Sequence, residues 1–309
     1  MMFKAPANRE RCARLATDEG TARVTSGRFP WTRMQRWKLP ALALGVVLAA
    51  SIGVIASDGN SGTVIAPTSR EHDVTAWAPP GARPLSDSQA AALVLRQPEN
   101  RPANTAANNF VPTAAELASF HAAQEKARAS GDFNPLTAYV TGRPGLRDPS
   151  TDDLIQWVSH KWGIPTDWIR AQMVVESDWQ QAQRGDVAGV GARWFRIYPD
   201  FSRVARTDRV YESLGIAQEK WIPDGSVGAG TEPLRWQSTA FSLDYYAATV
   251  RYYYDGDCTW CTARYRTGQA WNSIGAWYSP QPWTNAGSRR YVREVQAAVA
   301  QHAWTRPGF

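Results

Sequence analysis

Apolar positions at helical spacing are concentrated in the second half of the chain. Leu154, Ile155, Val158 and Trp162 recur on one helical face. Ahead of them, Ser150-Thr151-Asp152-Asp153 reads as an N-cap with an acid three residues on, and Gly163 is a residue that ends helices. The pattern restarts at Pro165 and Thr166, where Ile169, Met173 and Glu176 fall on a single face. Two more stripes run over 239–254 (Leu243, Tyr246, Ala247, Val250) and 288–303 (Val292, Val295, Val299). Between them, the Gly- and Pro-bearing segments 185–235 and 255–287 read as long functional loops. The spacing predicts a mainly α domain over 149–309, with any strands short. An Ala-rich helix starting near Thr113 and running to about Ser130 makes 113–148 a flanking segment.

The first half has a different pattern. Residues 57–112 are rich in Gly, Ser, Pro, Ala, Thr and Asn without apolar periodicity, and read as a flexible, disordered linker. Residues 39–56 carry no charge and only Ser51 as a polar interruption, near the lower limit for spanning a bilayer. Residues 1–38 form a basic arm that stays cytoplasmic, the polarity of an export signal. The segment 39–56 is therefore a signal peptide, as a start at Met34 would give, or a signal anchor. The rest is expected to be exported to the cell envelope or beyond, and membrane-anchored if the segment is not cleaved.

Charge sharpens this picture. The net charge is +6, from 34 Lys and Arg against 28 acids; residues 1–38 hold nine bases and three acids, so the remainder balances at 25 against 25. No basic footprint is left for the folded part, which argues against nucleic-acid binding. Twelve of the fifteen tryptophans lie at or after Trp157, a density that suits a packed core, a sugar-stacking groove, or both. Trp179, Trp194, Trp221, Trp236, Trp277 and Trp283 are candidate groove walls. Arg193, Arg196, Arg203, Arg206 and Arg209 either form a solvated loop or meet peptide-stem carboxylates or anionic wall polymers. Cys258 and Cys261, in a C-T-W-C run beyond the membrane, read first as a short local disulfide; a redox pair or a zinc site lacks the surrounding pattern. The four histidines show no metal spacing, and no metal or cofactor is called for.

Glu176 is the candidate that chemistry singles out. It continues an apolar helix stripe and sits near a helix C-terminus, so burial and the macrodipole both oppose its charge. Those are the conditions of a general acid held protonated. The plainer alternative is a helix-end Glu facing solvent or paired with Arg170.

The neighbouring residues carry a resemblance. Trp162-Gly163-Ile164-Pro165, Ile169-Arg170-Ala171-Gln172 and Val175-Glu176-Ser177 resemble the first motif of soluble-lytic-transglycosylase domains of the lysozyme-like superfamily. Ser213-Leu214-Gly215-Ile216-Ala217-Gln218 is similar to their second motif. Phe241-Ser242-Leu243-Asp244-Tyr245-Tyr246 with Arg251-Tyr252-Tyr253, and then Ile274-Gly275-Ala276-Trp277-Tyr278-Ser279, resemble the third and fourth in the same order. Ala217, Ser279 and Phe241-Ser242 depart from the usual residues. The resemblance implies an α+β lysozyme-like fold that acts on peptidoglycan glycan strands. Glu176 would be the lone acid/base, cleaving the bond between N-acetylmuramic acid and N-acetylglucosamine to leave a 1,6-anhydro product. It also implies substrate-side roles for Ser177, Ser213, Gly215, Gln218, Trp277 and Tyr278, with Tyr278 hydrogen-bonding near the acid. Against these stand a helix cap for Ser177, an ordinary tight turn for 213–218 and a plain core tyrosine for Tyr278. Asp178 points to another helix face, whereas Asp186 approaching from the loop keeps lysozyme-type hydrolysis as the second reading. A non-catalytic peptidoglycan-binding or assembly module with the same fold is the third. The chain is expected to act as a monomer.

Overall fold

The computed structural model describes residues 73–130, 134–258, 266–280 and 285–309. The basic arm, the apolar segment 39–56 and the linker as far as residue 72 lie outside the described residues. In chain order the elements are α1 (Asp87–Ala91), α2 (Thr105–Asn108), α3 (Ala114–Ser130), α4 (Thr151–Trp162) and α5 (Thr166–Ser177). Strand β1 (Arg184–Gly189), α6 (Gly191–Phe195), β2 (Arg209–Leu214) and β3 (Glu219–Lys220) follow. The chain closes with α7 (Leu234–Gln237), α8 (Thr239–Asp255), α9 (Ala270–Tyr278) and α10 (Ala286–Gln301). The described part is mainly α, as the hydrophobic periodicity predicts.

Local chemistry explains the principal helices. At the start of α4 the Ser150 hydroxyl accepts from the Asp153 N–H at 3.1 Å, and the Asp153 carboxylate accepts from the Ser150 N–H at 2.9 Å. Caps of this kind contribute about 1 kcal/mol. Gly163 then ends α4 in the left-handed conformation at φ +60°, and Pro165 precedes α5. Helix α3 opens with the same device, Thr113 and Glu116 bonding each other's backbone N–H groups. The apolar stripes meet in one core. Leu154, Ile155, Val158, Ile169, Met173, Leu243, Ala247, Val250 and Val295 are all fully buried. Helix α5 packs on α4 and α10, and α8 packs on α4 and α9, so the C-terminus of α5 is surrounded by helices distant in sequence.

Residues 73–112 differ from the flexible linker expected. They lie along α4 and α5 and use those helices' polar groups as partners. The Thr166 N–H donates to the Val74 carbonyl at 2.9 Å, the Ala78 N–H to Gly163 at 2.8 Å, and the Leu85 N–H to Lys161 at 2.9 Å. The Gln97 N–H donates to Asp153 at 2.8 Å. Trp77 stacks on Tyr254 at 4.4 Å and meets Trp168 edge-on. A segment fixed by backbone bonds and a few apolar anchors such as Ala90 carries no periodicity, which is why composition misread it. Arg170 clamps its start. The guanidinium bonds Asp152 through two nitrogens at 2.7 and 2.8 Å, and donates to Asp73 at 2.6 Å and Asp167 at 3.0 Å.

The region expected to be one long loop after residue 185 contains a small antiparallel sheet of order β1-β2-β3. Arg184 pairs with Leu214, Val187 with Tyr211 and Gly189 with Arg209; β3 adds at Ser213 and Leu214. The chain leaves α5 through Asp178 and Trp179, both at positive φ, and enters this sheet within a few residues of Glu176.

Candidate active site

Glu176 is half-buried in the last turn of α5. Its Oε1 accepts a short hydrogen bond from the Tyr291 hydroxyl of α10. Burial raises the carboxyl from its ordinary value to about 8; the Tyr291 bond opposes that rise and the Asp186 charge adds to it. At pH 7 the acid form is then favoured by about tenfold. Pairing with Arg170 does not occur, because that guanidinium is held by three aspartates.

Behind the acid lies a buried polar chain drawn from three helices. The Tyr246 hydroxyl of α8 donates to Gln172 Oε1, and Gln172 Nε2 of α5 donates to the Tyr291 oxygen at 2.7 Å. Tyr246 and Gln172 are fully buried and Tyr291 is nearly so. Burial and the neighbouring Glu176 charge push both tyrosines well above their ordinary range, so they act as hydrogen-bond donors and not as phenolates. The sequence reading placed Tyr246 on an apolar stripe and in the third motif without assigning it a role, and missed the roles of Gln172 and Tyr291. The available signal was a glutamine four residues before Glu176 on an apolar face, and a tyrosine four residues before Val295 on another.

The residues of the second motif come together beside the acid but bond mostly to protein. The Ser177 hydroxyl donates to the Ile216 carbonyl at 2.7 Å, tying the end of α5 to the turn after β2. Ser213 donates to Asp186 at 2.7 Å. The approach of Asp186 expected of the loop does occur, on β1, close enough for its charge to act on Glu176.

Gly215, at φ +86°, has its open side against protein: a Cβ there would lie 2.4 Å from the Arg235 carbonyl. Its absence of side chain serves packing, where close approach of a sugar was expected. Gln218 folds back, donating to the Gly215 carbonyl at 2.9 Å and the Gln183 carbonyl at 3.2 Å.

Trp277 is half-buried, donates to the Ala217 carbonyl at 3.1 Å and packs edge-on against Tyr246. Tyr278 is the clear correction. It is 45% exposed and stacks on Tyr291 at 5.2 Å, and Tyr291 makes the bond to the acid that was expected of it. Tyr278 is the last residue of α9, so its ring packs along α10 while Trp277 turns toward Tyr246.

Of the other tryptophans, Trp179 is core and Trp194 is exposed. Trp221 packs on Tyr198, Trp236 stacks on Phe201, and Trp283 lies outside the described residues. Arg193, Arg196, Arg206 and Arg209 are exposed, and Arg203 is engaged by Asp200. Cys258 is disulfide-bonded, and Cys261 lies outside the described residues. Asp178 turns away to Arg101 and Arg306.

A raised carboxyl alone does not identify the acid. Burial also pushes Glu219 up to about 8, yet Glu219 is only 1% exposed in β3, whereas Glu176 retains contact with solvent. Accessibility separates the two. No protein-family model, curated protein or solved structure matches this chain.

Proposed function

We propose that the chain is a peptidoglycan lytic transglycosylase with a lysozyme-like fold, and that Glu176 is its single acid/base. The observation that carries the reading is a reachable carboxyl held up at about 8, at a helix end beside an antiparallel hairpin. The ordered motifs around it supply the substrate class. Protonated Glu176 gives its proton to the glycosidic oxygen as the bond to the muramoyl anomeric carbon breaks. The carboxylate then takes the proton of the muramoyl C6 hydroxyl as that oxygen attacks the same carbon, closing a 1,6-anhydro ring and restoring the acid. The tuning matches the task, because an acid with a pKa near the working pH both gives and regains a proton readily. Export through the N-terminal segment would bring the domain to its substrate, and action as a monomer belongs to the same reading.

One observation favours a second reading. Asp186, fixed by Ser213 beside Glu176, is a second carboxylate of the kind that two-carboxylate glycosidases use. With Asp186 activating water or stabilising the cation, the product is a reducing end, as in lysozyme-type hydrolysis.

Mass spectrometry of peptidoglycan digested by the purified protein separates the readings. Anhydromuropeptides support transfer, reducing ends support hydrolysis, and binding without cleavage supports a module that has lost turnover. Glu176→Gln is expected to lower activity by about 10²–10⁴-fold. Full activity in that variant would overturn both catalytic readings. Asp186→Asn should leave transfer within a few-fold of wild type and should abolish hydrolysis.

A further inference from the structure

We infer that the buried chain Tyr246–Gln172–Tyr291 fixes which oxygen of Glu176 carries its proton, leaving Oε2 as the donating oxygen, with Gln172 as a positioning residue. The inference rests on the proposed catalytic role for its consequence, but not for its test.

Tyr246 has one hydroxyl hydrogen and gives it to Gln172 Oε1. That leaves the Gln172 amide nitrogen facing Tyr291, to whose oxygen it donates at 2.7 Å. With its oxygen already accepting, Tyr291 directs its own hydrogen to Glu176 Oε1. Oε1 is therefore an acceptor, and the acid proton of Glu176 belongs on Oε2.

Turning the Gln172 amide over reverses every step. Its oxygen would then take the Tyr291 hydrogen, Glu176 would donate its proton back to Tyr291, and none would face a substrate. In that arrangement the Tyr246 hydrogen has no acceptor, since its bond to Gln172 is the one it makes among the described residues. An orphaned donor in a fully buried site is costly, which selects the observed direction. Donation from Gln172 also strengthens Tyr291 as a donor, because successive hydrogen bonds polarise one another. The groups facing the carboxyl are Tyr291 from α10, Trp277 from α9 and Asp186 from β1, with Tyr246 of α8 behind them. Gln172 and Tyr246 lie one and two hydrogen bonds behind the residue that touches the acid, out of reach of any substrate.

The test follows the Glu176 side-chain carbon by ¹³C NMR across pH 4–10 in the wild-type protein and in Tyr246→Phe, Gln172→Met and Tyr291→Phe. Tyr291→Phe removes the bond that favours the charged form, Tyr246→Phe frees Gln172 to redirect it and Gln172→Met weakens it, so each should raise the Glu176 titration midpoint, by about threefold to tenfold in the proton-binding constant. Tyr246→Phe is the decisive variant, because the ring and its packing on Trp277 remain. Where the wild type cleaves glycan, the alkaline limb of kcat should move by the same factor and KM should stay put. A midpoint unchanged in Tyr246→Phe and Gln172→Met but raised in Tyr291→Phe would overturn the inference, confining the effect to one tyrosine. Because the titration needs no substrate, shifted midpoints in a protein without glycan cleavage would keep this inference and remove the catalytic reading.

Discussion

Replacing Glu176 by glutamine should make the protein more stable near neutral pH while removing its proposed activity. The folded carboxyl titrates at about 8 against 4.5 for an ordinary glutamate. Below 4.5 the folded and unfolded chains both carry the proton, and the residue adds no pH dependence. Between 4.5 and 8 the unfolded chain loses the proton while the folded one keeps it, so stability falls as pH rises; above 8 the loss is complete. At about 1.36 kcal/mol per pH unit the full effect has a ceiling of about 5 kcal/mol, and about 3 kcal/mol at pH 7. Glu176 is in contact with solvent, and screening brings the expected figure at pH 7 to about 1–2 kcal/mol. Glutamine keeps an acceptor for Tyr291 and carries no charge to desolvate. Glu219 ionises over the same range in both proteins and cancels from the difference. Thermal melts followed by circular dichroism from pH 4 to 9 test this. A midpoint about 2–8 °C higher for Glu176→Gln at pH 7, shrinking to nothing near pH 4.5, is expected. A wild type equal to the variant at every pH, or a difference that does not change with pH, would refute the reasoning, because the carboxyl would then not be desolvated.

Other substitutions probe the surroundings. Tyr278→Phe should change activity less than about threefold, since its exposed hydroxyl does not serve the acid, whereas Tyr291→Phe should move the alkaline limb of the activity profile to higher pH by about half to one unit. Gly215→Ala should cost about 2–4 kcal/mol in urea unfolding, from positive φ together with a Cβ only 2.4 Å from the Arg235 carbonyl. Arg170→Met should destabilise by about 3–5 kcal/mol, because Asp152 and Asp73 lose their buried countercharge. Removing residues 73–112 should expose the packed faces of Trp157, Trp168 and Tyr254 and yield a protease-sensitive product, where a mere tether would be dispensable.

The sequence by itself determined the principal helices. Ser150 with Asp153, Gly163 and Pro165 are signals acting over three or four residues, and both ends of α4 and the start of α5 fall within about two residues of where those signals place them. It also brought out Glu176, because an apolar stripe ending in a carboxylate is visible without knowing what covers it. Residues 73–112 and the β1–β2 hairpin were not legible. Their order comes from bonds such as Ala78 to Gly163 and Gln97 to Asp153, which link residues far apart in the chain and leave no local period. The acid's environment was hidden for the same reason: Tyr291 is 115 positions away from Glu176, and Tyr246 is 74 away from Gln172. The four-residue step from Gln172 to Glu176 puts both on one helix face, but only the packing of α8 and α10 against α5 decides that the glutamine organises the acid. Tyr278 and Tyr291 are both tyrosines beside the site, and spacing cannot rank them. Burial does: the hydroxyl sealed from water must spend its hydrogen on Glu176, and the exposed one need not.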